Sequence, residues 1–202
     1  MRTPNPDWQS NPEAAGRFTR YYETAWGLIR GQILIHGNNI SGPPGWLARR
    51  RLRRGLELFQ QALEIHAGSW QSLWGIGKIH QRLGEARKAY EAFTAAHRLE
   101  PEQADVAREA GLAALDSGDS AAAIELTHAA IEANPDDPGL VANLALAYLL
   151  NEQPQEALEH ADDALSREPS DVITVTVHII IKEVLAGERS CPTTMAELNA
   201  SL

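Results

Sequence analysis

The sequence has few of the features that secretion, membrane insertion or disulfide bracing require. It holds one cysteine, Cys191, among 202 residues, which excludes an intramolecular disulfide framework and fits a reducing compartment. No uninterrupted apolar run approaches the roughly 18 residues that cross a bilayer. The opening stretch, MRTPNPDWQSNPEAAG, has no apolar core of a secretion signal. Together these absences predict a cytoplasmic protein with no membrane span.

Chemical signatures are as scarce. GxGxxG and Walker-type phosphate loops are absent, and so is HExxH. Cys191 precedes Pro192 in a polar tail with no base placed to activate it. Glu125 with His128, and Glu156 with His160, have the spacing of ligands on one helix turn. The histidines His97, His128 and His160, however, fall at different register positions, which would rotate them away from a common face. The expectation is a protein that is not an enzyme, with no catalytic residue, cofactor or metal.

Charge is unevenly placed. The net charge of −9 divides into nine Arg against five acids over residues 1–69, and nine Lys or Arg against twenty-two acids over residues 70–202. So strong an acidic excess over the second stretch argues against nucleic acid, whose phosphates would be repelled at long range.

What the sequence does have is a beat. Pro101, Pro135 and Pro169 recur at a spacing of 34 residues. Each closes a segment of one design: an apolar helical run, a Gly or polar break, an alanine-rich second run and an acidic turn. Overlaid, the segments align Gly77, Gly111 and Ala145 in one column, Ala89, Ala123 and Ala157 in another, and Ala96, Ala130 and Ala164 in a third. Small side chains are needed where helix axes cross closely. A helical unit of this length cannot bury its apolar stripe alone and stacks on its neighbours. Proline ends each second helix, and the acidic or serine residues after Pro135 and Pro169 supply N-caps for the next.

On these residues the chain resembles the tetratricopeptide repeat family. Counted from Trp70, Ala104 and Pro138, the family's small eighth residue is met by Gly77, Gly111 and Ala145, its alanines at the twentieth and twenty-seventh by the other two columns, and its proline at the thirty-second by all three prolines. The aromatic at the eleventh survives only as Tyr148. The bulky twenty-fourth residue is Phe93, then Thr127, then Ala161. The fold class so implied is all-α, a right-handed α-solenoid of helix-turn-helix repeats with a divergent N-terminal helix pair and a C-terminal capping helix.

The expected organisation is a flexible arm over residues 1–12, a divergent helical hairpin over 13–69, three repeats over 70–103, 104–137 and 138–171, and a capping helix with tail over 172–202. Within the hairpin, periodicity predicts one helix from about Pro12 to His36 and a second from Trp46 to about Ala67, joined by the loop Gly37–Gly45. Arg49, Arg50, Arg51, Arg53 and Arg54 open the second helix. Five arginines in six residues cannot share one helical face, and a solvated outer surface is expected. All five tryptophans lie within the first 74 residues. They are expected mostly to fill the junction between hairpin and repeats, Trp46 being the one at a loop edge. Residues Val172–Leu185 alternate like a strand, but the 34-residue register makes them a helix. Apolar residues encircle it, so it should be covered by the tail, by a second copy in a homodimer through residues 172–185, or by a client.

Carried over by position, the family's peptide groove implies a partner-binding surface of Trp74, Lys78, Arg82, Arg108, Leu112, Leu115, Asn143, Leu146 and Leu150. It would be basic and aromatic at one end and leucine-rich at the other, and would suit an amphipathic segment of another protein with an acidic group. The family's carboxylate clamp is not matched, since its places hold Trp74, Lys78, Glu109, Gly139 and Asn143. The resemblance therefore implies a non-enzymatic protein-interaction module. Alternatives are a dedicated chaperone or neutralising partner for one client, or a structural protein that self-assembles through the apolar terminal helix.

Overall fold

Side-chain caps set where the helices begin. The carboxamide of Asn11 accepts from the backbone of Glu13 and Ala14, Ser69 accepts from Ser72, and Asp119, Asp137 and Asp171 accept from Ala122, Gly139 and Thr174. Each satisfies a donor that the first helical turn leaves open. Pro138 and Pro154 occupy the first helical positions of their helices, where a missing N–H costs nothing. Gly84 ends its helix in the left-handed region at φ 76°, which other residues enter only at a cost.

The structure, a computed structural model, describes residues 8–33 and 42–200. Its helices are α1 (Pro12–Ile29), α2 (Trp46–Ile65), α3 (Trp70–Leu83), α4 (Ala86–Leu99), α5 (Ala104–Asp116), α6 (Ser120–Ala133), α7 (Pro138–Leu150), α8 (Pro154–Arg167), α9 (Val172–Leu185) and the short α10 (Met195–Asn199). No strand occurs among the described residues. This is the all-α class of helical-repeat hairpins that the period predicts. The chain forms two compact units, residues 1–100 and 101–202.

The first unit packs α1 on α2, α2 on α3 and α3 on α4. Its core joins Ala25, Ile29, Ile33, Leu52, Phe59, Ile79 and their neighbours, rimmed by Tyr22, Trp26 and Leu63. Helix α1 stops at Ile29 and a turn carries the chain to Ile33, shorter than the helix predicted to His36. His36 and most of the predicted Gly37–Gly45 loop lie outside the described residues. Of the predicted arm, residues 8–10 form a 3-10 turn docked through Trp8, whose ring lies 4.7 Å from those of Phe18 and His66; residues 1–7 lie outside the described residues.

In the second unit α5 pairs with α6 and α7 with α8, while α6 packs on α7 and α8 on α9. The small-residue columns sit at these crossings: Ala123, Ala130, Ala145, Ala157 and Ala164 are all buried. Helix α7 has neighbours on several sides and buries eight residues from Leu140 to Leu150. At about 1.5–3 kcal/mol for each fully buried aliphatic side chain, it anchors this unit.

Residues Val172–Leu185 are helical, as the register requires, despite their β-branched composition. Burying Val177, Ile180 and Ile181 against the preceding helices outweighs a propensity difference of a few tenths of a kcal/mol per residue. Of the covers expected, the tail does not reach the outer side. Val172, Ile173 and Ile179 are exposed at 75%, 73% and 51%. The tail instead turns toward the end of α7, where the Cys191 thiol donates to the Leu149 carbonyl at 3.2 Å and Leu198 is buried.

Candidate partner-binding faces

Each unit carries part of the expected groove. In the first, α3 presents Trp74, Lys78 and Arg82 at successive four-residue steps, so they share a face. That face is engaged within the unit. The half-buried Trp74 ring lies 5.6 Å from that of Trp26, and the ammonium of the buried Lys78 sits 5.6 Å above the Trp74 ring. Arg82 donates through Nε to the Gln32 carbonyl at 2.9 Å and through Nη1 to the Gly42 carbonyl at 2.7 Å. This guanidinium clasps the two ends of the α1–α2 connection, which differs from the expected role of pairing a ligand carboxylate.

In the second unit, Asp105, Arg108, Leu112 and Asp116 make a stripe along α5 at helical spacing. Arg108 is half-buried and its charge is met from within: one guanidinium nitrogen pairs with Asp105 and another lies 3.3 Å from Asp137 Oδ2. Leu112 and Asn143 are half-buried, while Leu115, Leu146 and Leu150 are buried. The continuous leucine trough predicted from the sequence is therefore corrected. Three of its four leucines are buried: Leu115 on α5, and Leu146 and Leu150 on α7, a largely apolar helix with helices on several sides. What the surface offers is the half-buried Leu112 between the exposed carboxylates of Asp105 and Asp116 on α5, and the half-buried Asn143 on α7.

One other sequence expectation changes. His128 and His160 do converge, on Tyr148: the His128 Nε2 is 3.4 Å from the phenol oxygen, and the His160 ring stacks on the phenol at 5.2 Å. Burial, and secondarily the neighbouring His128, hold His160 below the usual histidine range. Among the described residues, no group of three or more His, Cys, Asp or Glu is arranged to hold a metal ion.

The five arginines of the cluster are all exposed, as the solvated outer surface expected of them requires. Arg49, Arg50, Arg53 and Arg54 do share a face of α2, together with Trp46 and Glu57, and these six line a shallow concavity of about 670 Å³. Their offsets from Trp46 follow the three-and-four rhythm of a helix face, a signal present in the sequence. Arg51 is exposed but is not among them.

Models of the tetratricopeptide repeat match residues 80–138 and residues 114–174. The two matches overlap and run from the last turn of α3 to the start of α9. Residues 80–174 are tetratricopeptide repeats. Solved tetratricopeptide repeat structures resemble it in fold. The crystal structure of MamA protein is 16% identical, with 85% of this chain and 84% of that one covered and a TM-score of 0.71. MamA from Desulfovibrio magneticus RS-1 is 17% identical over 85% and 86%, with a TM-score of 0.69. YrrB is 16% identical over 95% and 89%, with a TM-score of 0.68. Identity at this level speaks for the shared helical repeats alone. No curated protein matches the sequence. No helix among the described residues is long and apolar enough to cross a membrane.

Proposed function

We propose that this tetratricopeptide repeat protein is a non-enzymatic interaction module that holds an extended or helical segment of another protein against α5 and α7. The observation that carries the reading is the α5 stripe. Leu112 is partly exposed between Asp105 and Asp116, and Asn143 of α7 is partly exposed as well. An apolar side chain of the ligand would lie on Leu112 and complete its burial. A buried leucine contributes about 1.5–3 kcal/mol, enough to matter in a contact of this size. Since Arg108 is already paired with two aspartates, the charge this face offers a ligand is negative. The ligand's matching group is then basic, the reverse of the acidic group expected from sequence. Trp74, Lys78 and Arg82 contribute by holding the first unit's hairpins in place.

Two of the solved relatives support the general role. YrrB is described as having an unusual peptide-binding site, and the first repeat domain of Spaghetti (RPAP3) is bound to the HSP90 peptide SRMEEVD, at 17% identity and a TM-score of 0.54. That peptide is acidic, whereas the clamp places here hold Trp74, Lys78, Glu109, Gly139 and Asn143. A different ligand class follows.

The test is selection of peptides from a random display library on the intact protein and on Leu112→Glu. The reading predicts a consensus with an apolar residue near Lys or Arg, recovered on the wild type and lost on the variant. Equal recovery on both would remove α5 as the binding face.

A further inference from the structure

Two exposed apolar spots stand in fields of opposite sign. In the first unit, Trp46 and Leu47 open α2 at 71% and 62% exposure. Beyond them, Arg49 is held by the Pro44 carbonyl at 2.9 Å and Arg54 by Glu57 at 2.6 Å. Arg50 and Arg53 are exposed on the same face, with no partner among the described residues. In the second unit, Val172 and Ile173 open α9 at 75% and 73% exposure, directly after the acids Glu168 and Asp171. The one lysine on α9, Lys182, comes ten residues after Val172, and His178 faces the Asp162 carboxylate at 2.8 Å. The units as wholes repeat the contrast. Residues 1–100 hold fourteen Lys or Arg against eight acids, net +6, and residues 101–202 hold four against nineteen, net −15.

We propose that the occupant of each spot is a second copy of this chain, the α2 face of one copy docking on the α8–α9 corner of the next. A large exposed Trp flanked by arginines is the composition of an interface anchor, and Val172 with Ile173 gives it an apolar seat. Opposed charge selects this pairing over its rivals. Two α2 faces would set arginine against arginine, and two α9 faces would set acid against acid, so both like-with-like dimers are disfavoured. A contact between unlike faces is heterologous. The pair keeps one unused face of each kind, so assembly continues until it closes into a ring or grows as an open chain. A nucleic acid or anionic membrane would satisfy the arginines alone. It would leave Val172 and Ile173 in water and would be repelled by the strongly acidic second unit.

Sedimentation velocity over a concentration series, on the full chain, tests this with two variants. Arg50→Glu/Arg53→Glu removes the basic face, and Val172→Ser/Ile173→Ser removes the apolar seat. All four positions are exposed, so both variants should keep wild-type helicity by circular dichroism. The expected result is a wild type that forms species beyond the dimer, two variants that stay monomeric, and an equimolar mixture of the variants that stops at the dimer, because one intact face of each kind remains. Raising salt from about 0.1 M to about 1 M, which shortens the screening length from about 10 Å to about 3 Å, should weaken the wild-type association at least about tenfold. The inference is overturned by a wild type that stays monomeric at every concentration, whether or not it binds anionic vesicles or duplex DNA. It is equally overturned by an Arg50→Glu/Arg53→Glu variant that still dimerises, which would mean an α9–α9 contact, or by a mixture of variants that remains monomeric. No residue of α5 or α7 takes part, so this result is independent of the peptide-binding test.

Discussion

The ring of Phe93 in α4 occupies the space that a side chain on Gly77 in α3 would need: a Cβ built at Gly77 would lie 2.6 Å from the ring atoms Cδ1 and Cε1. Glycine at the eighth place of this repeat is thus a condition for the two helices to meet over a phenylalanine. Overpacking at such a site costs about 1–3 kcal/mol, against a gain of up to about 1 kcal/mol from replacing a helical glycine by alanine. Gly77→Ala should therefore lower the melting temperature by several degrees, at roughly 2–4 °C per kcal/mol for a chain of this size. Gly27 in α1 has nothing within 4 Å of its would-be Cβ, so Gly27→Ala should raise the melting temperature. A thermal scan of both variants decides it, and shifts in the same direction would contradict the packing account.

A second prediction concerns the cap of α9. The Asp171 carboxylate accepts from the Thr174 hydroxyl and from the Thr174 backbone N–H at 2.9 Å, and these bonds hold its pKa below the ordinary aspartate value. Because the folded value is depressed, its contribution to stability is complete above the unfolded value near 3.9 and is lost as pH falls through the folded value below that. Asp171→Ala should cost about 1 kcal/mol at pH 7. Asp171→Asn should keep most of the cap and lose its share of the acid-side decline, measured by denaturant titration between about pH 5 and pH 2. An acid limb unchanged in the asparagine variant would assign that decline to other carboxylates.

Cys191 should be a slow nucleophile. Its half-buried thiol donates to the Leu149 carbonyl, and burial, then the charge of Glu152, push its pKa up. Less thiolate at a given pH means slower alkylation. Iodoacetamide at pH 8 should label the native protein several-fold more slowly than the protein in denaturant. Equal rates would show that the tail does not hold its contact with α7.

Much of the fold could be read from residues at a fixed spacing. The alanines at 89, 96, 123, 130, 157 and 164 marked the crossings, and the 34-residue register placed a helix at 172–185 where local propensity favoured a strand. The candidate site was less accessible, for two physical reasons. Register tells which face of a helix a residue occupies, but not whether another part of the chain has reached it first. Arg82 stands at a groove position, yet its guanidinium holds the Gln32 and Gly42 carbonyls, contacts across 50 and 40 residues. Arg108 likewise meets Asp137, twenty-nine residues on. The leucines of α7 failed as a trough because a helix apolar on nearly every side gives little signal of which side is left open. The α2 arginine face was within reach, since the offsets of Arg49, Arg50, Arg53 and Arg54 from Trp46 are those of one helical surface.

The most direct test of the account is to map where a bound peptide perturbs the backbone. A peptide recovered by display would be titrated into isotope-labelled protein and the amide resonances followed. The account predicts shifts concentrated in residues 105–116 and 139–150, with those of α6 and α8 nearly still, and all of them suppressed in Leu112→Glu. Shifts centred on α6 and α8, or unchanged by that substitution, would contradict it.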